Sequence, residues 1–264
     1  MLYICKQEAK NKFKLQLMDN RICIKVNVSD NLRLSECIAS NKKHLIQELV
    51  ITGNYYAYPD DAFIRSMCNT IGNDGKRSGG QLEVLDLSKA HLFLAKTNVN
   101  SSRLLSPNSF EGCITLKIIK LGEMDIIDAE MFRGCISLES IWYEQSNISI
   151  VGGYKHHFFS YGGILYDKRY SKDGNPLDKW KLIKYPSAYQ EPKDIRFDFV
   201  DEIADYAFED FKDTDLYLPT VPPTCNKKAF NNVDVTKVTI HVPKGSFNSY
   251  WSHPVWGEFP IVEE

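Results

Sequence analysis

Two stretches of the chain are close copies of each other: Phe110-Glu-Gly-Cys113-Ile-Thr-Leu116-Lys-Ile-Ile119 and Phe132-Arg-Gly-Cys135-Ile-Ser-Leu138-Glu-Ser-Ile141, 22 residues apart (132 − 110). The same step separates Ala207-Phe208…Phe211 from Ala229-Phe230…Val233. Self-similarity at a fixed period of roughly 20–50 residues marks a solenoid, in which each turn stacks on the next. Aligned on their phenylalanines, the four copies place Leu105, Ile127, Ile203 and Cys225 five positions before, and Cys113, Cys135, Phe211 and Val233 three positions after. Each column is a line of side chains in a shared interior, and Phe110, Phe132, Phe208 and Phe230 are expected to form one ladder. In the later pair Thr214 and Thr236 replace the leucines, and Leu216/Leu218 and Val238/Ile240 fall as though one residue were deleted.

No single turn is stable alone. Burying four such side chains gives roughly 6–12 kcal/mol, whereas fixing each backbone residue costs about 1–2 kcal/mol. Neighbouring turns must supply the remaining burial, and both ends require atypical caps. A period of 22 and the run Leu82-Glu-Val-Leu85-Asp-Leu87, an L-x-x-L-x-L core, are those of leucine-rich repeats. The expected fold is α/β: a leucine-rich-repeat solenoid with a parallel sheet on its concave side and short helical or irregular turns on its convex side.

The chain divides into an N-terminal cap over 1–44, a solenoid over 45–240 and a C-terminal cap over 241–264. In the first cap Arg21–Val28 alternates as a half-buried strand, and Ser29 or Asp30 can cap a short helix carrying Leu32, Leu34 and Ile38. Leu45–Ile51 reads as an extended segment before Gly53. Asp60 and Asp61 open a helix with Phe63, Ile64 and Met67 on one face, and 72–80 reads as a loop. Phe132 and Phe208 are 76 residues apart, ten more than three 22-residue steps. The surplus falls in an insert over about 162–186, where Asp173-Gly174 between apolar runs signals a projecting β-hairpin. At the far end Phe247–Trp251 reads as a short helix, with Trp256, Phe259 and Ile261 closing the core.

These segments resemble the BspA-like leucine-rich-repeat proteins. The resemblance rests on Ser-Phe-x-Gly-Cys-x-x-Leu at Ser109–Leu116 and, with Met for Ser, at Met131–Leu138. It rests also on Gly162–Asp167, Ile203–Phe208, Leu85–Ser88 and Val242–Phe247 with Trp256. It implies a right-handed solenoid and a bacterial or protozoan adhesin or surface protein, located at the cell surface or outside the cell. The opening Met1-Leu-Tyr-Ile-Cys5 is too short for a secretory leader, so the sequence itself shows no signal peptide.

Function is expected in binding rather than catalysis. A net charge of −2 offers no basic footprint for nucleic acid. Side chains between the inward leucines face out of the sheet. They give the candidate binding residues Asp86, Lys120, Trp142, Tyr143 and Tyr217, with Val50 beside them and either Thr239 or His241 at the end. Exposed aromatics beside charges suit a protein partner on a host or neighbouring cell or in its matrix. The alternative is a glycan stacked on Trp142, Tyr143 and Tyr217.

No cofactor, metal site or transmembrane segment is read, and the chain is expected to be a monomer. The seven cysteines show no Cys-x-x-Cys spacing, and Cys113, Cys135 and Cys225 read as small core hydrophobes. His156 and His157, adjacent in a strand, point to opposite faces and cannot chelate one ion together. A hydrolase built on Cys68 and His91 is the weakest reading, because no catalytic motif accompanies them.

Overall fold

The computed structural model describes residues 14–18, 21–28, 32–72, 74–95, 105–144, 148–151, 154–171, 173–190 and 195–264. Ser29 and Asp30 lie outside them, as does the opening 1–13. β1 (Lys14–Met18) pairs antiparallel with β2 (Arg21–Val28); β3 (Glu48–Tyr56), β4 (Val84–Ala95), β5 (Ile118–Lys120) and β6 (Ser140–Trp142) then add in parallel and in chain order. Parallel neighbours need crossovers. The first two run through α1 (Leu34–Cys37) and α2 (Ala57–Met67), and the last through a 3₁₀ turn at Ala129–Phe132. The strand expected to stop before Gly53 runs on to Tyr56: Gly53 adopts φ +80° beside Val28, where a Cβ would lie 2.2 Å from the Val28 carbonyl oxygen.

The first three copies bury the columns read from the sequence, whereas Cys225 and Val233 of the fourth are only partly buried. Leu105, Ile127 and Ile203 are buried, as are Cys113, Cys135 and Phe211, and Leu116, Leu138, Ile119 and Ile141 are fully enclosed. The turns share one backbone device. The second residue after each phenylalanine is left-handed: Gly112 (φ 71°), Gly134 (φ 67°), Asp210 (φ 58°) and Asn232 (φ 61°). Glycine adopts that conformation without strain, and Asp and Asn tolerate it best among the rest. Adjacent copies are then linked by backbone bonds, Gly112 N–H to Arg133 O at 2.8 Å and Asp210 N–H to Asn231 O at 3.1 Å.

The phenylalanines form two ladders rather than one. Phe110 stacks on Phe132 (centroids 5.8 Å apart) and Phe208 on Phe230 (5.1 Å), each pair in its own core. What divides them is the surplus segment. After the antiparallel pair β7 (Ser149–Val151) and β8 (Tyr154–His156) come β9 (Phe158–Tyr161), β10 (Ile164–Tyr170), β11 (Pro176–Lys184) and β12 (Val200–Ile203), forming a sheet of order β12-β11-β10-β9. β10 and β11 are antiparallel around a turn at 171–175, and β11 is parallel to β12.

Alternate residues of this sheet serve different cores. Leu165 and Ile183 enter the first, whereas Ile164, Tyr166 and Leu182 enter the second. The base of the strand pair is therefore a partition inside the molecule, and its tip, with Asp173, Asn175 and Pro176–Lys179, is exposed. Strands apolar on both faces read as continuous hydrophobic runs, which is the pattern of Gly163–Tyr166 and Leu182–Ile183.

Behind the partition the chain crosses a polar layer. Lys184 is fully buried and donates from Nζ to the Tyr206 carbonyl at 2.9 Å. Buried Glu209 accepts from Gly134 N–H (3.1 Å) and Asn231 Nδ2 (2.8 Å), with Arg133 Nε 3.7 Å away. Burial pulls the Lys184 ammonium down to a pKa of about 8, against the pull of Glu209.

The last sheet joins β13 (Asp215–Tyr217), β14 (Thr239–Val242) and β15 (Ile261–Glu263) in parallel. α3 (Phe247–Trp251) precedes fully buried Trp256, whose Nε1 donates to Pro223 O at 2.8 Å and whose ring meets Phe230 edge-on.

Candidate functional site

The outward face of the first sheet is set by strand alternation. Leu85 and Leu87, Ile119 and Leu121, and Ile141 point into the core, so Asp86, Lys120 and Trp142 between them point out. Parallel register puts these on one line: Val50 is opposite Asp86, Asp86 opposite Lys120, and Lys120 opposite Trp142. Lys120 Nζ is 3.8 Å from Asp86 Oδ2. Trp142 is 37% exposed, and its indole N–H donates to Ser140 Oγ at 3.1 Å, which holds the ring over the sheet. The free edge of β6 is occupied by the β9–β10 turn, since Ile141 N–H donates to Gly163 O at 2.8 Å and Tyr143 N–H to Ser160 Oγ at 2.9 Å.

Tyr143 does not join this line. One residue beyond Trp142, it alternates inward, is only 3% exposed, places its hydroxyl 3.4 Å from both Met124 N and O, and packs edge-on against Phe158. Its expected surface role is withdrawn, and the stacking surface for a glycan on this face shrinks to Trp142.

Tyr217 and Thr239 lie on the second sheet, away from the first line. The register there is offset: Tyr217 pairs with His241 and Asp215 with Thr239, a step of 24 instead of 22 (241 − 217). A two-residue slip keeps every side chain on its face, so Tyr217 and His241 both point out, and their rings stack 4.5 Å apart. Arg196 lies over Tyr217 at 5.4 Å and pairs with Glu264 at 3.0 Å. Glu264 also reaches His241 Nδ1 at 3.1 Å, and Asp215 reaches His241 Nε2 at 2.8 Å. Arg196, Asp215 and Glu264 were not legible as site residues, because only the slipped register brings them together.

The chemistry-bearing residues weighed in the sequence are placed otherwise. Cys68 is fully buried among core side chains while His91 is exposed on β4, so the structure does not bring them together as a nucleophile and base. Burial holds the Cys113 thiol well above the ordinary range, and a hydrogen bond with Cys113 together with burial does the same for Cys135, so neither is a ready nucleophile. His156 Nδ1 meets Asp167 Oδ2 at 2.8 Å and His157 Nδ1 meets the Tyr170 hydroxyl at 3.2 Å, each committed to the strand pair. Among the described residues no group of three His, Cys, Asp or Glu side chains is arranged to hold a metal ion.

Compared with known families, residues 94–161 and 192–251 match the BspA type leucine rich repeat region, in six copies. These two stretches carry BspA-type leucine-rich repeats. The repeats account for the solenoid-like build, in which parallel strands alternate with short turns and few helices. No curated protein matches the chain. Among the described residues no helix is long and apolar enough to cross a membrane.

Proposed function

We propose that this BspA-type repeat chain is a non-catalytic surface or secreted protein that binds another protein through the concave side of a right-handed solenoid. The caps at 1–44 and 241–264 close its ends, and the tip of the strand pair over 162–186 flanks the binding face. The observation that carries this reading is the line Val50, Asp86, Lys120, Trp142: an exposed aromatic held over a rigid sheet beside a charged pair. A large ring with few rotatable bonds contributes contact area at low entropic cost, and the flanking charges set partner orientation. Tyr217, His241 and Thr239 lie apart from this line, on the outward side of the last sheet, and offer a further contact area there.

The test is binding to a panel of cell-surface and matrix proteins, comparing the natural chain with Lys120→Ala/Trp142→Ala. The reading expects at least one binder whose affinity falls at least about tenfold in the variant, the minimum loss for a central anchor. Binding that survives at full strength in the folded variant contradicts it.

A further inference from the structure

A second recess lies on the side of the turns, away from the outward sheet face. α2, the segments 69–72 and 74–80 and the turn at 111–114 border an open cleft of about 670 Å³ lined by Arg65, Lys76 and Arg77 and by Ser66, Thr70 and Ser78. That volume falls within the range of roughly 300–1,000 Å³ typical of small-molecule sites.

The loop that carries two of the cations is held by its own backbone. Ile71 bridges to Arg77, Gly72 N–H donates to Lys76 O at 2.8 Å, and Ser78 N–H donates to Thr70 O at 2.9 Å. Gly80 returns the chain so close to α2 that a Cβ would lie 2.1 Å from the Met67 carbonyl oxygen. The backbone that carries these cations is thus set before any ligand arrives, which lowers the entropy lost on binding.

Their hydrogen-bonding capacity is largely unused. Arg65 Nη1 and Arg77 Nη1 each donate to one backbone carbonyl, at 3.4 Å to Asn108 O and 3.3 Å to Asn69 O, out of five N–H groups per guanidinium. The Lys76 ammonium has no partner among the described residues, and the buried Ser78 Oγ has none either. The two lining carboxylates are already engaged: Asp74 Oδ1 accepts from Lys76 N–H at 3.0 Å, and Glu111 faces Arg133 at 3.9 Å. With three cations against the two carboxylates, the cleft keeps a net charge of +1 (3 − 2) and presents hydroxyls beside it. None of its described lining residues is aromatic, so a neutral sugar face or a nucleobase finds no ring to stack on.

We propose that this cleft binds an acidic saccharide, whose carboxylate or sulfate groups pair with Arg65, Lys76 and Arg77 while its hydroxyls donate to the oxygens of Ser66 and Thr70, whose own protons go to Phe63 O and Arg65 O. Guanidinium groups match such planar or tripodal anions with paired N–H donors. The site is separate from the concave-sheet reading and does not depend on it.

Isothermal titration of the full chain with a heparin-derived tetrasaccharide, and with maltotetraose as the neutral control, tests the assignment. The sulfated sugar is expected to bind and the neutral one not. Lys76→Ala/Arg77→Gln is expected to weaken binding at least about tenfold, since each charge-assisted bond is worth about that factor or more. Lys76→Ala alone, which removes a side chain with no protein partner, is expected to weaken it in the same direction, and Lys120→Ala/Trp142→Ala to leave it unchanged. Absence of heat with the tetrasaccharide, equal binding of maltotetraose, or unchanged affinity in both loop variants overturns the proposal.

Discussion

Lys184 is the most informative residue to replace, because its buried charge makes stability depend on pH in a direction that can be worked out. In an unfolded chain its ammonium titrates at 10.5, and burial lowers this to about 8 in the folded chain. Below pH 8 the lysine is charged in both states, and the folded chain bears the full cost of holding that charge out of water. Between about 8 and 10.5 only the unfolded chain keeps the proton, so the unfolded state binds more protons and stability rises with pH. The gap between 10.5 and about 8 corresponds to roughly 3 kcal/mol. Buried Cys113, Cys135 and Tyr185 act the other way at alkaline pH, since burial raises Cys113 and Tyr185 and the hydrogen bond with Cys113, with burial, raises Cys135, so the total curve mixes opposing effects.

Comparison with Lys184→Met separates them. Methionine keeps the length of the side chain without its charge, and Glu209 retains Gly134 N–H and Asn231 Nδ2 as donors. Urea unfolding of both chains at pH 7, 8, 9 and 10, followed by circular dichroism and tryptophan emission, yields the stability difference at each pH. The advantage of the methionine variant over the natural chain is expected to shrink by most of that 3 kcal/mol from pH 7 to pH 10. A difference that stays constant over this range refutes the assignment of a buried charge to Lys184.

Asp61 gives the complementary case at acid pH. Burial raises its carboxyl from 3.8 to about 6, with Tyr55 and Ser109 hydroxyls donating to it at 2.7 and 2.6 Å. The folded state then binds more protons between these values, so its contribution is complete below pH 3.8 and lost as pH rises through 6; the stability difference from Asp61→Asn should vary by about 3 kcal/mol across that window in urea titrations. Phe132→Ala removes a rung from the first ladder and is expected to cost about 3–5 kcal/mol in the same assay. Gly134→Ala forces a side chain into φ +67° and should cost about 1–2 kcal/mol, whereas Asn232→Gly at the matching position should be neutral or stabilising.

Much of the interior was legible in the chain. The columns around Phe110 and Phe132 follow from spacing alone, and so do the outward positions of Asp86, Lys120 and Trp142, because strand alternation allows no other choice once Leu85, Ile119 and Ile141 are inside. The left-handed turn was legible at Gly112 and Gly134 but concealed at Asp210 and Asn232, where polar residues do the same work. Other features depended on tertiary structure. Leu165 and Ile183 turn to one core and their neighbours to the other, and a short apolar run cannot show that division. Lys184, at the end of such a run, gives no sign of being enclosed. Tyr143 was misplaced because one further step along a strand reverses a side chain, and the choice between Thr239 and His241 stayed open because the two-residue slip that sets His241 opposite Tyr217 is not visible in the repeat spacing.

The central claim is that a partner sits on the outward face of the first sheet, and hydrogen–deuterium exchange of the chain with a bound protein partner tests it most directly. The account predicts new protection confined to the strand segments around Asp86, Lys120 and Trp142, together with the exposed tip Pro176–Lys179. Protection that falls instead on the turns at 111–114 and 226–238, with those strands unchanged, would contradict it.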